Sequence, residues 1–285
     1  MAKIDTKIKK EQPKESRSLR FLYNTAVGRV VLKPLTSRAL SNMMGAWMDS
    51  RLSKPMIKRF VKKNNIKLED FYSDDFKCFN DCFTRKIKEG KRPIDMDERA
   101  FISPCDALLS AYTVDESTRL TIKGSIYSVT DLFENKELAD KYTGGTCLVF
   151  RLCVTHYHRY IYLDNCTKEA NHFIKGKLHT VRPIALEALP VFKRNCREYT
   201  VMHTENFGDV TQMEVGAMLV GKIKNHHQDG AHVRGEEKGM FLYGGSTIVV
   251  FLEKDKVDLD PVYFENTQNG KETDVLMGQR LGVKK

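Results

Sequence analysis

The spacing of hydrophobic residues changes near Pro93, and the change divides the chain into a helical front and a β-rich remainder. From Leu19 to about Asn64 the apolar residues recur every three or four positions, as they do in amphipathic helices. Pro34 and Pro55 divide this stretch into about three helices. A short helical bridge is predicted over residues 68–95.

Short runs of β-forming residues, separated by turn residues, fill most of the chain after Pro93. They cover residues 101–103, 107–114, 119–123, 147–154, 159–164, 177–182, 199–204, 213–224, 240–243 and 247–253. One helix is predicted over Ser128–Tyr142, and a partly ordered polar tail from Pro261 onward.

These patterns predict an α+β fold in which N-terminal amphipathic helices precede an antiparallel, sandwich-like β core. We expect three regions. Residues 1–17 form a basic flexible tail, residues 18–75 a helical membrane-associating region, and residues 76–285 a β-rich catalytic domain.

The composition is that of a soluble globular protein, with 41% hydrophobic and 29% charged residues in 285. No run approaches the roughly 18 apolar residues of a spanning helix, and the first residues lack the apolar stretch of a signal peptide. Seven cysteines without a metal-binding spacing favour a reducing compartment. Cys78 and Cys82, four residues apart, are interpreted as packed core thiols.

The net charge of +10 is concentrated in the front of the chain, within residues 1–20 and 51–67. Such blocks are typical of solvated helix faces and also of surfaces that bind anionic lipid. No helix-turn-helix, RNP or zinc-finger pattern accompanies them, so we expect no nucleic-acid partner. Met43, Met44, Trp47 and Met48, between basic flanks, are compatible with a core stripe and with an interfacial helix.

The sequence Gly244-Gly245-Ser246-Thr247 joins two strongly β-forming runs and allows two interpretations. In the first it is a two-residue hairpin turn, because glycine tolerates the positive φ of such turns. In the second, the glycines hold a strained backbone in which Ser246 attacks the carbonyl of Gly245.

Other residues of a catalytic type lie far from this turn in sequence. Asp106, at the start of a strand, is a turn cap or a carboxylate that orients a histidine. His156 and His158 share one face if they lie in a strand, and either could be a general base for Ser246. A third ligand at fixed spacing is missing, so no metal site is expected there. His226, His227 and His232 are interpreted as solvated loop residues.

Eight short motifs, in order, resemble the phosphatidylserine decarboxylase proenzymes over residues 20–260. They are Phe83-Thr84-Arg85 with Arg92-Pro93-Ile94, Ser103-Pro104-x-Asp106, Tyr157-His158-Arg159, Gly176-x-Leu178-His179-Thr180-Val181, Phe192-x-x-Asn195-x-Arg197, Val215-Gly216-Ala217 with Val220-Gly221, Gly235-Glu236-x-x-Gly239, and Gly244-Gly245-Ser246-Thr247.

The resemblance implies self-cleavage between Gly245 and Ser246 into a β subunit, residues 1–245, and an α subunit, residues 246–285. It also implies that Ser246 becomes a covalent pyruvoyl cofactor, which forms a Schiff base with phosphatidylserine, accepts the electrons left by CO₂ and yields phosphatidylethanolamine. Asp106, His158 and Ser246 are the implied catalytic residues. The implied setting is the cytoplasmic face of the cell membrane, with a homodimer of the two-subunit units left open.

The chain departs from the common family pattern around its histidines. His156 stands where many members have Asp, and Ile161 where they have a second His. Cys105 and Ala107 replace the more usual Ala and Gly. His158 is therefore the best-matched candidate for the cleavage base, with His156 and His179 as secondary candidates. Two rival functions are a pyruvoyl-dependent decarboxylase of a soluble amino acid and an inactive membrane-binding homologue.

Overall fold

A computed structural model describes residues 17–122, 125–180, 185, 188, 190–217, 223–242 and 246–285. The predicted flexible tail, except Arg17, and the Gly244-Gly245 pair lie outside these residues. The helices are α1 Arg17–Asn24, α2 Ala26–Leu35, α3 Arg38–Asp49, α4 Pro55–Asn64, α5 Phe79–Phe83, α6 Val129–Phe133, α7 Lys136–Asp140, α8 Val191–Arg194 and α9 Val262–Gln268.

The front of the chain forms four helices where the sequence predicted about three. The missed break is at Thr25, whose side chain accepts a hydrogen bond from the Gly28 amide and caps α2. Pro34 lies one residue before the end of α2, and Pro55 starts α4, where proline is favoured. The bridge over residues 68–95 is mostly non-helical, with one 3₁₀ turn at Leu68–Asp70 and the short α5.

The remainder of the described chain contains seventeen strands. They are β1 Ala100–Ile102, β2 Ala107–Thr113, β3 Arg119–Ile122, β4 Ser125–Ser128, β5 Thr146–Leu152, β6 Arg159–Ile161, β7 Cys166–Lys168, β8 His172–Ile174, β9 Arg197–Thr204, β10 Gly208–Val215, β11 Ile223–Asn225, β12 Gly230–His232, β13 Glu237–Phe241, β14 Ser246–Leu252, β15 Val257–Leu259, β16 Thr273–Val275 and β17 Arg280–Lys284.

A nine-stranded sheet forms the centre, in the order β12-β7-β9-β10-β14-β5-β2-β16, with β8 also paired to β9. Its strand pairs are antiparallel. Smaller sheets have the orders β1-β17-β15, β11-β13-β6 and β3-β4. All seven residues of β14 are buried, which fits their continuous run of β-forming side chains.

Apolar residues on both faces of the large sheet are covered. One face packs against the sheets that contain β1 and β6, and the other against α6–α8 and the N-terminal helices. A third cluster joins α3, α4 and α5 through Met48, Ile57 and Phe83. The predicted α+β class, with N-terminal helices before an antiparallel β core, is confirmed.

The hairpin interpretation of residues 241–252 is wrong. β13 pairs with β11 and β6, whereas β14 pairs with β10 and β5 in the large sheet. The chain therefore passes from one sheet to another between Phe241 and Ser246. Ser246 is the first residue of a central strand and lies next to this crossing.

Two further predictions are corrected by the structure. The helix over Ser128–Tyr142 is two short helices, because Glu134 adopts a left-handed conformation and Asn135 caps α7. The segment after Pro261 is not a loose tail. It forms α9, β16 and β17, and β16 and β17 pair with β2 and β1. Polar composition concealed this order because β16 is a three-residue edge strand and β17 has a basic residue at each end.

Candidate active site

Ser246 occupies the end of β14 at which two other motif segments meet. Its backbone is opposite Leu152 of β5, and Thr247 is opposite Val215 of β10. By strand alternation its side chain shares a face with Ile248 and Val250, which lie in the core. Ser246 is fully buried, and its Oγ has no hydrogen-bond partner among the described residues. A buried hydroxyl in this condition is a signal of chemistry or of an altered group.

Residues 153–158, which we call the His158 turn, begin beside Ser246 and end beside Phe241. Leu152 is opposite Ser246 at one end. At the other end the amide of Phe241 donates to the His158 carbonyl at 3.0 Å. Both ends of the His158 turn therefore lie beside the residues that bound the step from Phe241 to Ser246. This brings His158 and Ser246 to the same region of the fold. The predicted strands ended at residue 154 and resumed at 159, and the structure likewise places both histidines outside any strand, so the condition under which they would share a strand face is not met.

The imidazole of His158 is buried and its tautomer is fixed. Nδ1 lies 2.9 Å from the carbonyl oxygen of His156, which can only accept, so Nδ1 carries a proton and donates it. In the neutral ring the lone pair is then on Nε2. The ring also lies 4.1 Å, centroid to centroid, from that of Phe83. This arrangement is suitable for a general base.

His156 is held differently. Its Nδ1 accepts a hydrogen bond from the Cys153 amide at 3.0 Å, so its proton is on Nε2, which lies 3.8 Å from an oxygen of Asp274. The Nδ1 lone pair is already used within the turn. The carbonyl of the same residue holds His158, so His156 shapes the turn.

The carboxylate of Asp106 is bound by Arg92. Nε of Arg92 lies 2.8 Å from Oδ1 and Nη2 lies 2.6 Å from Oδ2, and the Met277 amide donates to Oδ1 at 2.9 Å. The ion pair raises the pKa of Arg92. The Pro104 carbonyl accepts from the Ile161 amide at 3.0 Å, which ties this segment to the strand that follows His158. The orienting role expected of Asp106 toward His158 stays a prediction.

Residues 177–180, which we call the His179 segment, approach Ser246 from the β10 side. The side-chain Nδ2 of Asn195 donates to the backbone carbonyls of His179 and Gly216, at 2.7 Å each. Its Oδ1 accepts from the backbone amide of His179. Gly216 follows Val215, the partner of Thr247. Burial, with help from Arg194 and Lys177, lowers the pKa of His179 to about 4. This histidine is therefore neutral at pH 7.

The N-terminal helices contact both histidine segments. The Tyr23 hydroxyl of α1 lies 3.4 Å from Nδ1 of His179 and accepts from the Thr180 amide. On the other side, Phe83 contacts His158 and belongs to the cluster that holds α3 and α4. The helices α1–α5, which we call the helical layer, therefore contact the candidate site through Tyr23 and through Phe83.

Sequence reasoning gave no role to several residues that the fold brings near this site. Arg92 and Asn195 were quoted within motifs, yet only the structure shows what they bind. A fully buried ion pair joins Lys238 to Glu214 of β10. Glu214 is opposite Ile248, which follows Ser246 by two residues in β14. Glu214, a charged residue inside the β-forming run 213–224, was the signal that could have drawn attention to this pair.

A separate groove of the described structure lies away from this site. It is lined by Ser110–Thr113 of β2, by residues of α9 and by the loop that follows. These residues lie at the far end of β2 from Asp106, and none belongs to the eight motifs.

Comparison with known proteins gives a consistent result. A family model described as phosphatidylserine decarboxylase matches residues 79–283. The phosphatidylserine decarboxylase proenzyme 2 of Clostridium acetobutylicum is 40% identical over 273 residues, covering 95% of this chain and 94% of the relative. The proenzyme of Clostridium novyi is 42% identical over 272 residues, with 93% and 92% covered. That of Clostridium kluyveri is 40% identical over 280 residues, with 96% and 95% covered.

Proposed function

The chain belongs to the phosphatidylserine decarboxylase family, and on this premise we propose that it is a self-cleaving proenzyme and carboxy-lyase. It cleaves itself between Gly245 and Ser246, converts Ser246 into a pyruvoyl group and releases CO₂ from phosphatidylserine to give phosphatidylethanolamine. The observation that carries the proposal is the buried Ser246 hydroxyl, with no hydrogen-bond partner among the described residues, at the point where two histidine segments meet.

Self-cleavage needs a serine activated by a base. Oγ of Ser246 bonds to the carbonyl carbon of Gly245 and the C–N bond breaks, which leaves an ester and a free amine. Removal of the Cα proton of residue 246 then expels the Gly245 carboxylate. Water finally releases the nitrogen as ammonia and leaves a ketone.

His158 is the proposed base for the first step. Its Nδ1–H is engaged by the His156 carbonyl, so Nε2 of the neutral ring has the lone pair that can take the Ser246 proton. Asp106 is the proposed positioning residue. Two observations support this role. Arg92 holds the Asp106 carboxylate through two hydrogen bonds, and the Ile161 amide of β6 donates to the Pro104 carbonyl, close to Asp106 in the chain.

The position of residue 246 fits a pyruvoyl cofactor. It begins a central strand, its side chain is buried, and the hydroxyl that would be converted satisfies no other described group. When formed, this group supplies a carbonyl that binds the substrate amine and accepts the electrons left by CO₂. His158 is the candidate for returning a proton to the substrate carbon.

The two fragments are proposed to remain associated as β and α subunits. Residues 246–285 contain β14, in the middle of the large sheet, and also β16 and β17, which pair with β2 and β1. Pairing on both sides of β14 holds the small fragment in place after the peptide bond is broken.

The helical layer is proposed to bind an anionic membrane at the cytoplasmic face. No described helix is long and apolar enough to span a bilayer. On α3, Met44 and Met48 face the core, whereas Met43 and Trp47 are exposed. The other exposed apolar residues of this layer are Phe21, Val27, Val30, Val31, Leu52 and Met56, and exposed basic residues accompany them at Arg51, Lys54, Lys58, Arg59, Lys62 and Lys63. This combination suits an interfacial layer.

Cleavage is tested by denaturing electrophoresis and mass spectrometry of the purified protein. We expect a C-terminal fragment that starts at residue 246, has a blocked N-terminus and is lighter by one ammonia than the same peptide with an unmodified N-terminal serine. Ser246→Ala should remain a single chain. Thr247→Val is the matched control, because Thr247 is also buried with no described partner for its hydroxyl, yet it should still be cleaved. Normal cleavage of Ser246→Ala would refute the proposal.

The reaction is tested with phosphatidylserine vesicles and with free serine. We expect CO₂ release from the lipid only, and loss of activity when borohydride with substrate labels the small fragment. Release from free serine alone would favour the soluble-substrate alternative. An uncut, inactive chain that still binds vesicles would favour the inactive homologue.

Membrane binding is tested by vesicle sedimentation. Each basic residue near an anionic surface contributes about 1 kcal/mol, so binding should weaken at high salt. Trp47→Ala and Leu52→Ala should weaken it further, whereas Phe173→Ala, an exposed aromatic on β8, should not. Salt-independent binding, or equal loss in all three variants, would contradict the assigned surface.

A further inference from the structure

Two histidines and one glutamate converge where β11, β12 and β13 follow each other along the chain. Their potential ligand atoms, on His227, His232 and Glu236, all lie within 4.8 Å of one another, and this is the one such group found among the described residues. The sequence interpreted these histidines as solvated loop residues. The structure instead places His232 in β12, with a side chain only 7% exposed.

Two of the three distances between the ligand atoms match those between neighbouring ligands of one ion. Nε2 of His227 lies 3.5 Å from Oε1 of Glu236, and Nδ1 of His232 lies 3.1 Å from Oε2. Ligands bound tetrahedrally at the usual zinc distances lie about 3.3 Å apart. A small movement of the His227 ring would bring both nitrogens and the carboxylate onto a common centre.

The remaining ring nitrogens are already oriented as metal-bound histidines require. Nδ1 of His227 lies 3.3 Å from the hydroxyl of Tyr162, and Nε2 of His232 lies 3.4 Å from the carbonyl of Asp229. Ligand histidines characteristically donate their second N–H to such an acceptor, which leaves the first nitrogen deprotonated for the ion. Tyr162 also stacks on His232, at 4.3 Å and an interplanar angle of 3°.

The groups that face the cluster are Glu236 and, more distantly, His226 and Lys168. His226 pairs with Glu237 at 2.7 Å and so belongs to a separate interaction.

We propose that Nε2 of His227, Nδ1 of His232 and the Glu236 carboxylate bind one divalent transition-metal ion of the zinc class, with water as the fourth ligand. Imidazole with carboxylate is a donor set that suits Zn²⁺ and Co²⁺. The ion would join β12 to the residue that immediately precedes β13. That strand ends at Phe241, so the metal would brace the segment that leads to the cleavage site.

The test uses the mature protein after dialysis against a chelator, with Zn²⁺ and Co²⁺ as probes. Titration calorimetry with Zn²⁺ should give one site per chain, thermal unfolding should shift upward, and Co²⁺ should produce the visible bands of a tetrahedral complex. His227→Asn and Glu236→Gln should each lower Zn²⁺ affinity at least about 100-fold, which is the upper range for disturbing even the outer contacts of a metal site.

His226→Asn is the matched control, because it changes an adjacent histidine outside the trio. It should bind Zn²⁺ like the unmodified chain. Circular dichroism of His227→Asn and Glu236→Gln without metal checks that both are folded, since neither residue is fully buried. Absence of Zn²⁺ binding by the unmodified protein, unchanged affinity in the two ligand variants, or equal loss in His226→Asn would each overturn the assignment.

Discussion

The His158 turn and the His179 segment reach the same end of β14 from opposite sides, yet they hold their imidazole rings in different ways. His158 donates from Nδ1 to a carbonyl, so the lone pair of its neutral ring is on Nε2. His179 is anchored by Asn195 and lies near two cations, and its pKa falls to about 4. A base that weak accepts a proton poorly at pH 7. The local surroundings, and not the residue type, therefore distinguish the two histidines.

The largest expected effect comes from removing the proposed base. His158→Ala should slow cleavage by about 10²–10⁴-fold, the usual contribution of a general base. The assay is the rate at which the full-length chain is converted into two fragments during cell-free synthesis. His156→Ala should slow cleavage less, since its Nδ1 already accepts from Cys153. If His158→Ala cleaves normally while His156→Ala or His179→Ala does not, the base is the other residue.

Breaking the ion pair on the His158 side should have the next largest effect. Asp106→Asn leaves the Arg92 guanidinium without its partner, which should cost about 3 kcal/mol, less than a fully buried pair because Arg92 is partly exposed. Arg92→Leu should slow cleavage similarly, and the double variant of both should be little worse than either one. Denaturant unfolding and cleavage rates measure the two effects.

The same variants test whether Asp106 acts together with His158. Residues that work as one unit lose function together, so Asp106→Asn combined with His158→Ala should cleave little more slowly than His158→Ala alone. Fully multiplicative losses in this pair would show that Asp106 acts independently of His158.

The lowered pKa of His179 should be detectable in the pH dependence of the free energy of unfolding. Folding lowers the pKa of His179 from 6.5 to about 4, so the folded state favours the neutral ring. The stability is present above pH 6.5 and is lost as the pH falls toward 4, by on the order of 2 kcal/mol. In the uncut Ser246→Ala background, His179→Gln should flatten the curve of unfolding free energy over this window.

His203 provides a control of opposite sign for that experiment. Its pKa is raised, chiefly by Asp209, so its contribution is present below pH 6.5 and is lost as the pH rises. His203→Gln should therefore steepen the loss of stability on acidification. The effect should be small, because His203 is largely exposed. If His179→Gln leaves the curve unchanged, His179 is not held neutral by the fold.

The smallest expected effect is on the contact between the helical layer and His158. Phe83→Leu keeps an apolar side chain but loses the ring-to-ring contact with the imidazole, worth about 1 kcal/mol, and should slow cleavage about fivefold. Phe76→Leu, a buried phenylalanine in the same cluster, should cost similar stability without slowing cleavage. Equal slowing in both variants would mean that Phe83 acts only through general packing.

Much of the architecture could be predicted from local pattern. The helical spacing before Pro93 and the continuous β-forming run after Ser246 each produced the expected element. Errors arose where a side chain acts on the backbone, as when Thr25 caps a new helix. They also arose where strands are too short for periodicity to be visible, as at β7, β8 and β12.

The sequence by itself determined the α+β class, the presence of a strand after Ser246 and the set of motifs around Ser246, because these follow from short-range spacing and from residue identity. Only the tertiary structure decided that β13 and β14 lie in different sheets, that Arg92 binds Asp106, and that His179 becomes a weak base. It also decided that His227, His232 and Glu236 meet. Strand partners and ion pairs depend on contacts between residues far apart in the chain, and a Gly-Gly step permits a crossing as readily as a hairpin.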